Sequence, residues 1–181
     1  MNAETIADPE GNDLPTTPAA LLARLSALGL AHETVTHEAV FTVEQSTAVR
    51  ARLPVLQQGV HIKNLFLRNK REEMWLVTAE AHRPIDLRQL GERIGAGRVS
   101  FGSPERLMRY LGVRPGSVTP LALINDTAHR VRLAVDRAVL DADIVWAHPL
   151  VNTMVTRLSG ADLRRFFTAT GHAPAAIDFA A

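Results

Sequence analysis

Two lysines, Lys63 and Lys70, stand against eighteen arginines in this chain. Lys70 falls in the polar turn Arg68-Asn69-Lys70-Arg71-Glu72-Glu73 and needs no special account. Lys63 lies inside His61-Ile62-Lys63-Asn64-Leu65-Phe66-Leu67, an otherwise mostly apolar run with strand character. A partly buried ammonium is costly unless it is paired or has work to do. Its alternative is an edge-strand lysine whose stem lies on the sheet while its head reaches water. Strand alternation groups Lys63 with His61, Leu65 and Leu67, and Asn64 with Ile62 and Phe66. Lys63 and Asn64 therefore serve one pocket only if the strand twists or bulges, or if Asn64 acts through its backbone.

Two more segments have types and spacing suited to chemistry. In Pro115-Gly116-Ser117-Val118-Thr119-Pro120, Gly116 is free to take positive φ and the prolines stiffen both ends. Such a loop can present free N–H groups to a carbonyl oxygen or a phosphate, or it can be an ordinary helix-to-strand turn. In Trp146-Ala147-His148-Pro149, the proline biases His148 toward an extended backbone. A histidine fixed in this way can hold a water or a ribose hydroxyl, or it can be a core histidine satisfied by a carbonyl. No metal site is expected: cysteine is absent and the seven histidines are scattered with no His-Glu-x-x-His. Gly102-Ser103-Pro104 and Gly116-Ser117-Val118 both lack the Gly-x-Ser-x-Gly pattern of a nucleophilic serine.

These residues need elements to position them. Residues 1–15, acidic and without periodicity, read as a loose tail, and residues 16–181 as one domain. Thr17-Pro18 opens a helix carrying Leu21, Leu22, Leu25 and Leu28 at helical spacing and stopped by Gly29. A strand follows over His32–Glu38. Thr42-x-x-Gln45 is a capping box for a short helix that must end before Pro54. Val60–Leu67 and Met74–Thr78 form a hairpin signature. Helices are expected over Asp86–Ile94 and from Ser103-Pro104 to Gly112. Further strands are expected at Leu121–Ile124, Val131–Val135, Ile144–Ala147 and Thr153–Leu158, the first two joined through Asn125-Asp126. Ser159-x-x-Asp162 caps a final helix that ends at Gly171. Strands clustered in hairpins predict an α+β domain with a curved, largely antiparallel mixed sheet, or half-barrel, flanked by helices.

Composition bounds the function. The 181 residues are 46% hydrophobic and 22% charged, enough for one core, and no apolar run approaches a membrane span. Without cysteine there are no disulfides, thiol catalysis or cysteine metal sites. No signal-peptide pattern is visible at Met1-Asn2-Ala3-Glu4, so a cytoplasmic location without membrane attachment is the expectation. Net charge is +1, but residues 83–137 hold ten arginines against five acids. If those arginines share a face, that face can meet phosphate; otherwise they are a solvated surface.

Taken in order, Lys63-Asn64-Leu65-Phe66-Leu67, Val99-Ser100-Phe101-Gly102-Ser103-Pro104, Pro115-Gly116-Ser117-Val118-Thr119-Pro120, Asn125-Asp126 and His148-Pro149 with Asn152-Thr153 resemble the YbaK/prolyl-tRNA synthetase-associated editing superfamily. The pattern is most similar to the free-standing alanyl-tRNA(Pro) deacylases, ProXp-ala or PrdX, over about Ala19 to Gly171. The resemblance implies a YbaK-like sheet with the pocket on its concave side. It also implies hydrolysis of the ester joining a wrongly attached amino acid to the 3′-terminal adenosine, without metal or cofactor. By the same resemblance Lys63, His148 and Gly116 are the catalytic candidates and Asn64, Ser117, Val118 and Pro120 the substrate-binding ones. The implied partners are the acceptor end of tRNA(Pro) and prolyl-tRNA synthetase. Phe41–Val55 is the implied helix at the pocket mouth. Open alternatives are another small amino acid, such as cysteine on tRNA(Pro), and a non-catalytic tRNA- or synthetase-binding module.

Overall fold

The structure is a computed structural model that describes residues 8–40 and 43–179. Its elements are α1 (Pro18–Ala27), β1 (Glu33–Thr36), α2 (Val43–Arg52), β2 (Val60–Asn69), β3 (Met74–Glu80), α3 (Leu87–Arg93), β4 (Val99–Phe101), α4 (Pro104–Leu111), β5 (Val131–Asp136), α5 (Arg137–Leu140), β6 (Val145–Ala147), β7 (Met154–Leu158), α6 (Gly160–Ala169) and β8 (Ala175–Ile177). Side-chain caps start the helices where the sequence places them. Thr17 accepts from Ala20 N–H, Asp86 from Gln89 N–H, Ser103 from Arg106 N–H and Ser159 from Asp162 N–H. The capping-box residue Thr42 lies outside the described residues, as do Phe41 and residues 1–7 of the expected tail.

The strands form one unclosed mixed sheet in the order β1-β7-β6-β2-β3-β5-β8, with β4 beside β2. The pairs β1–β7, β7–β6, β2–β3 and β2–β4 are antiparallel, whereas β2–β6, β3–β5 and β5–β8 are parallel. The α+β half-barrel expected from the hairpin signals is therefore present, with parallel strands flanking its central hairpin.

β3 shows why this sheet is stable at its centre. It is apolar on both faces because both are covered. Met74 and Leu76 join Phe66, Leu133, Leu21, Leu25 and Phe166 in the main core under α1, α4 and α6. Trp75 and Val77 turn the other way, toward Leu67, Leu90 and Ile177. A third cluster, Val49, Leu56, Trp146 and Val155, seats α2 against β6 and β7.

Three expectations are corrected. Leu121–Ile124 is not a strand: Pro120–Asn125 is a 3-10 turn. Pro120 supplies its first turn without an N–H to lose, and Thr119 caps it by accepting from Leu121 N–H. Leu121, Ala122 and Leu123 are buried on all sides, so their apolar run carries no period to separate turn from strand. β5 accordingly pairs in parallel with β3 instead of forming a second hairpin. The short elements β4, α5 and β8 are additional to those expected. Finally, residues 8–15 are folded onto the domain. Leu14 enters the main core, Asp13 pairs with Arg114, and Pro9 C=O accepts from Thr153 Oγ1 at 3.0 Å. An acidic segment of low periodicity is held here by partners far along the chain.

Leu76 is fully buried, opposite Phe66 on one side and Leu133 on the other. Leu76→Ala is expected to lower unfolding free energy by about 2–5 kcal/mol, read from the urea midpoint.

Candidate functional site

The site forms where two parallel strands part. β2 and β6 are paired only at Val60–Val145 and His61–Trp146. The same edge of β2 is taken up again by β4 at Leu67–Phe101. Between them, residues 62–66 have no strand on that edge among the described residues. The Pro115–Pro120 loop lies beside this gap, tethered to β2 through Asn64. Asn64 Nδ2 donates to Val118 C=O at 2.9 Å, and Asn64 Oδ1 accepts from buried Thr78 Oγ1 at 2.8 Å. Those two bonds fix which end of the amide faces the loop.

A cavity of about 310 Å³ lies at this gap. Its polar lining includes Lys63, Asn64, Gly116, His148, Ser46 and His82, and its apolar lining Ile62, Val118, Ala81 and Val40. A larger hollow of about 490 Å³ adjoins it through the shared residues Arg50 and His82. Arg50 belongs to α2, which lies at the mouth as the resemblance implied.

Lys63 and Asn64 both reach this cavity without a bulge, since the β2–β3 register runs unbroken from Ile62–Glu80 to Arg68–Met74. They flank it from opposite faces at the point where the strand loses its neighbour. The Lys63 ammonium donates to the backbone carbonyl of Arg83, just beyond the end of β3. It makes no ion pair among the described residues.

In the loop, Gly116 adopts φ +87°, a conformation that disfavours any side chain. Ser117 N–H closes a turn onto Arg114 C=O at 3.0 Å. The Gly116 and Val118 N–H groups donate to no acceptor among the described residues. Two free donors on a tethered loop, one on each side of the engaged Ser117 N–H, can receive a developing oxyanion or another anionic oxygen.

His148 Nδ1 lies 2.8 Å from Met154 C=O. The carbonyl requires Nδ1 to carry the proton, which leaves Nε2 as an acceptor in the neutral ring. Burial lowers the pKa of His148, with the nearby ring of His37 acting in the same direction. Burial also lowers His37 and His61. Burial thus favours the neutral ring at His148, His37 and His61.

The structure brings together five of the seven residues singled out in the sequence: Lys63, Asn64, Gly116, Val118 and His148. It does not bring in the other two. Ser117 is buried and lines a separate hollow behind the loop, with Asp8, Arg114 and Leu150. Pro120 is buried at the start of the 3-10 turn. Sequence reasoning missed Val40, Ala81 and His82, which no motif or period marks; it had Ile62 only as a residue on the Asn64 face, and Ser46 and Arg50 only as part of the implied helix at the mouth. The arginines of residues 83–137 are not one free cationic face. Arg83, Arg88, Arg106, Arg114 and Arg132 pair with carboxylates, two of which, Glu72 and Glu73, lie in the β2–β3 turn.

Comparison with known proteins identifies the family. The model of the aminoacyl-tRNA editing domain family matches residues 37–166. The mouse protein named prolyl-tRNA synthetase associated domain-containing protein 1 is 36% identical over 163 residues, 86% of this chain and 92% of that one. The prolyl-tRNA editing protein ProX of Acetoanaerobium sticklandii is 31% identical over 160 residues, 88% of this chain and 95% of that one. A crystal structure described as a candidate trans-editing enzyme for prolyl tRNA synthetase shares the fold, with TM-score 0.64 at 19% identity over 89% of this chain and 96% of that one. The chain belongs to the aminoacyl-tRNA editing domain family, in its YbaK/ProX-like branch. No helix among the described residues is long and apolar enough to cross a membrane.

The neutral histidines tie stability to pH. In the unfolded chain these rings take up protons as pH falls through their ordinary value of about 6.5, while in the fold they resist. The unfolded state binds more protons in that window, so stability falls as pH is lowered from about 7 toward the depressed folded values. The urea midpoint is expected to drop over this range, and His148→Gln is expected to flatten part of the slope. An unchanged slope in the variant would remove His148 from this account.

Proposed function

We propose that this chain is a trans-editing hydrolase that deacylates mischarged tRNA, with alanyl-tRNA(Pro) as its substrate. The observation that carries the reading is the convergence on one small cavity of an unpaired ammonium (Lys63), two free backbone donors (Gly116 and Val118) and a neutral imidazole acceptor (His148). An aminoacyl ester is already an activated acyl group. Fixed geometry, a positioned water and donors for the oxyanion suffice to hydrolyse it without a protein nucleophile. In this scheme Lys63 binds the phosphate of the terminal adenosine or the ester oxygens. The loop N–H groups stabilise the carbonyl oxygen as it gains charge, and His148 Nε2 holds the attacking water or the ribose. Asn64 keeps the loop at its distance from β2.

The apolar walls Ile62, Val118 and Val40 suit a methyl group. A synthetase pocket built for proline discriminates against a smaller side chain by only about 1–3 kcal/mol per missing methylene, so a second sieve is required. The names of the relatives support tRNA(Pro) and a working association with prolyl-tRNA synthetase. Exposed Arg98, Arg109 and Arg137 are the candidates for acceptor-stem phosphates.

Deacylation of Ala-tRNA(Pro), Pro-tRNA(Pro), Cys-tRNA(Pro) and Ala-tRNA(Ala) tests this reading. Alanine is expected to leave tRNA(Pro) fastest, and Lys63→Ala to lower the rate by roughly 10²–10³-fold, the scale of losing one transition-state donor. Equal hydrolysis of Pro-tRNA(Pro) overturns the sieve. Preference for cysteine moves the substrate within the same reaction. Tight tRNA binding that survives Lys63→Ala with no turnover at all establishes a binding module instead. Affinity for tRNA is expected to fall with salt at a slope of about −0.9 per neutralised duplex phosphate. Salt-independent affinity would sink the arginine contacts.

A further inference from the structure

We infer that Asp136 is a positioning residue for Lys63, acting through Arg83. Resting on the function proposed above, this assigns a role to two residues outside the cavity lining. Asp136 ends β5 and is 1% exposed. A carboxylate so buried is stable only when its oxygens are satisfied. Oδ2 accepts from Arg83 Nε at 3.1 Å and from Glu80 N–H at 3.3 Å, and Oδ1 accepts from Ala138 N–H at 3.0 Å. Three segments, the end of β3, the turn beyond it and the start of α5, are thereby tied to one carboxylate.

Arg83 is held at several points. Its N–H donates to Glu80 C=O at 3.0 Å, its guanidinium pairs with Asp136, and the guanidinium carbon lies 5.6 Å from the centre of the Phe179 ring. The atom left over is its carbonyl oxygen, and that oxygen accepts from Lys63 Nζ. With no carboxylate pairing Lys63 among the described residues, this carbonyl decides where the ammonium sits. A lysine stem is flexible and its head is a compact charge, so its direction has to come from a fixed acceptor. A carbonyl supplies direction without neutralising the charge, which leaves the ammonium's other protons for an anionic oxygen of the substrate. Asp136 also compensates the Arg83 charge, whose guanidinium it pairs with while the Arg83 carbonyl receives Lys63.

A merely structural Asp136 would tie β3 to α5 and leave Lys63 indifferent. The presence of only two lysines makes the distinction measurable. With lysine labelled at its side-chain nitrogen, wild-type protein has two ammonium resonances, and Lys70→Arg identifies that of Lys63. Its protons are expected to exchange with water more slowly than those of exposed Lys70. Asp136→Asn and Arg83→Met are each expected to bring Lys63 to the Lys70 rate, because both keep the residue-83 carbonyl and release its anchor. In deacylation of Ala-tRNA(Pro), both variants are expected to lose about 10- to 100-fold in kcat with little change in KM, as displacement of a reacting group does. Should Asp136→Asn fail to fold, Arg83→Met carries the test alone. Unchanged Lys63 exchange in Arg83→Met overturns the inference whatever the activity. Faster exchange with wild-type kcat overturns the link to catalysis. A wild-type protein inactive on every tRNA tested, with Lys63 exchange still governed by Arg83 and Asp136, counts against the proposed function and leaves the positioning intact.

Discussion

The pairing of β2 with β6 lasts for two residue pairs and then stops, and the site exists because it stops. Parallel strands that diverge leave backbone groups and side chains facing a gap. Here a loop stiffened by Pro115 and Pro120 lies beside that gap, and the tether is one side-chain amide. Asn64 donates to the loop carbonyl at Val118 and accepts from Thr78 behind it. Because the loop is held through a carbonyl, its N–H groups at Gly116 and Val118 remain free. Had Asn64 bonded to those N–H groups instead, the loop would be equally well anchored and the donors would be spent.

The electrostatics of the cavity follow from the same division. Desolvation disfavours charge on an imidazole, which favours the neutral ring at His148, His37 and His61, and each of the three has a ring nitrogen on a backbone carbonyl. Lys63 is directed by a carbonyl as well. The lining thus combines cationic and neutral polar groups, with Glu80 confined to the adjoining hollow. This is the balance suited to an anionic phosphate or a forming oxyanion.

Much of this was legible in the sequence, for physical reasons that differ by residue. Lys63 stood out because lysine is rare in this chain and out of place in an apolar strand. The helix openers Thr17, Ser103 and Ser159 were readable because capping is local. The family resemblance carried by the order of the motifs then implied that Gly116 and His148 work with Lys63. What was not legible depends on distant partners. Arg83 and Asp136 look like ordinary surface charges until the fold brings together residues 53 positions apart. Leu121–Ile124 has strand-like composition, but Pro120 and the Thr119 cap direct it into a 3-10 turn. Ser117 sits between two cavity residues in sequence, yet the positive φ of Gly116 turns the chain so that its neighbour Val118 faces the cavity and Ser117 the hollow behind.

The arginines show how far composition can carry a functional argument. Ten arginines against five acids over residues 83–137 left open a phosphate-binding face or a solvated surface. Two of the neutralising carboxylates, Glu72 and Glu73, come from a turn outside that window, and Asp13 comes from the N-terminal segment. Charge counted along a sequence window omits the acids that folding delivers to it. Exposed ion pairs add little to stability, but they remove cations from the pool available to a polyanion. Among the described residues, Lys63 and Arg50 line the cavity without an ion pair; they belong to β2 and α2 and lie outside the arginine-rich window. In the function proposed above, recognition of the reacting end of the substrate would rest on these two groups, and the arginine-rich segments would be left with contacts farther from the ester.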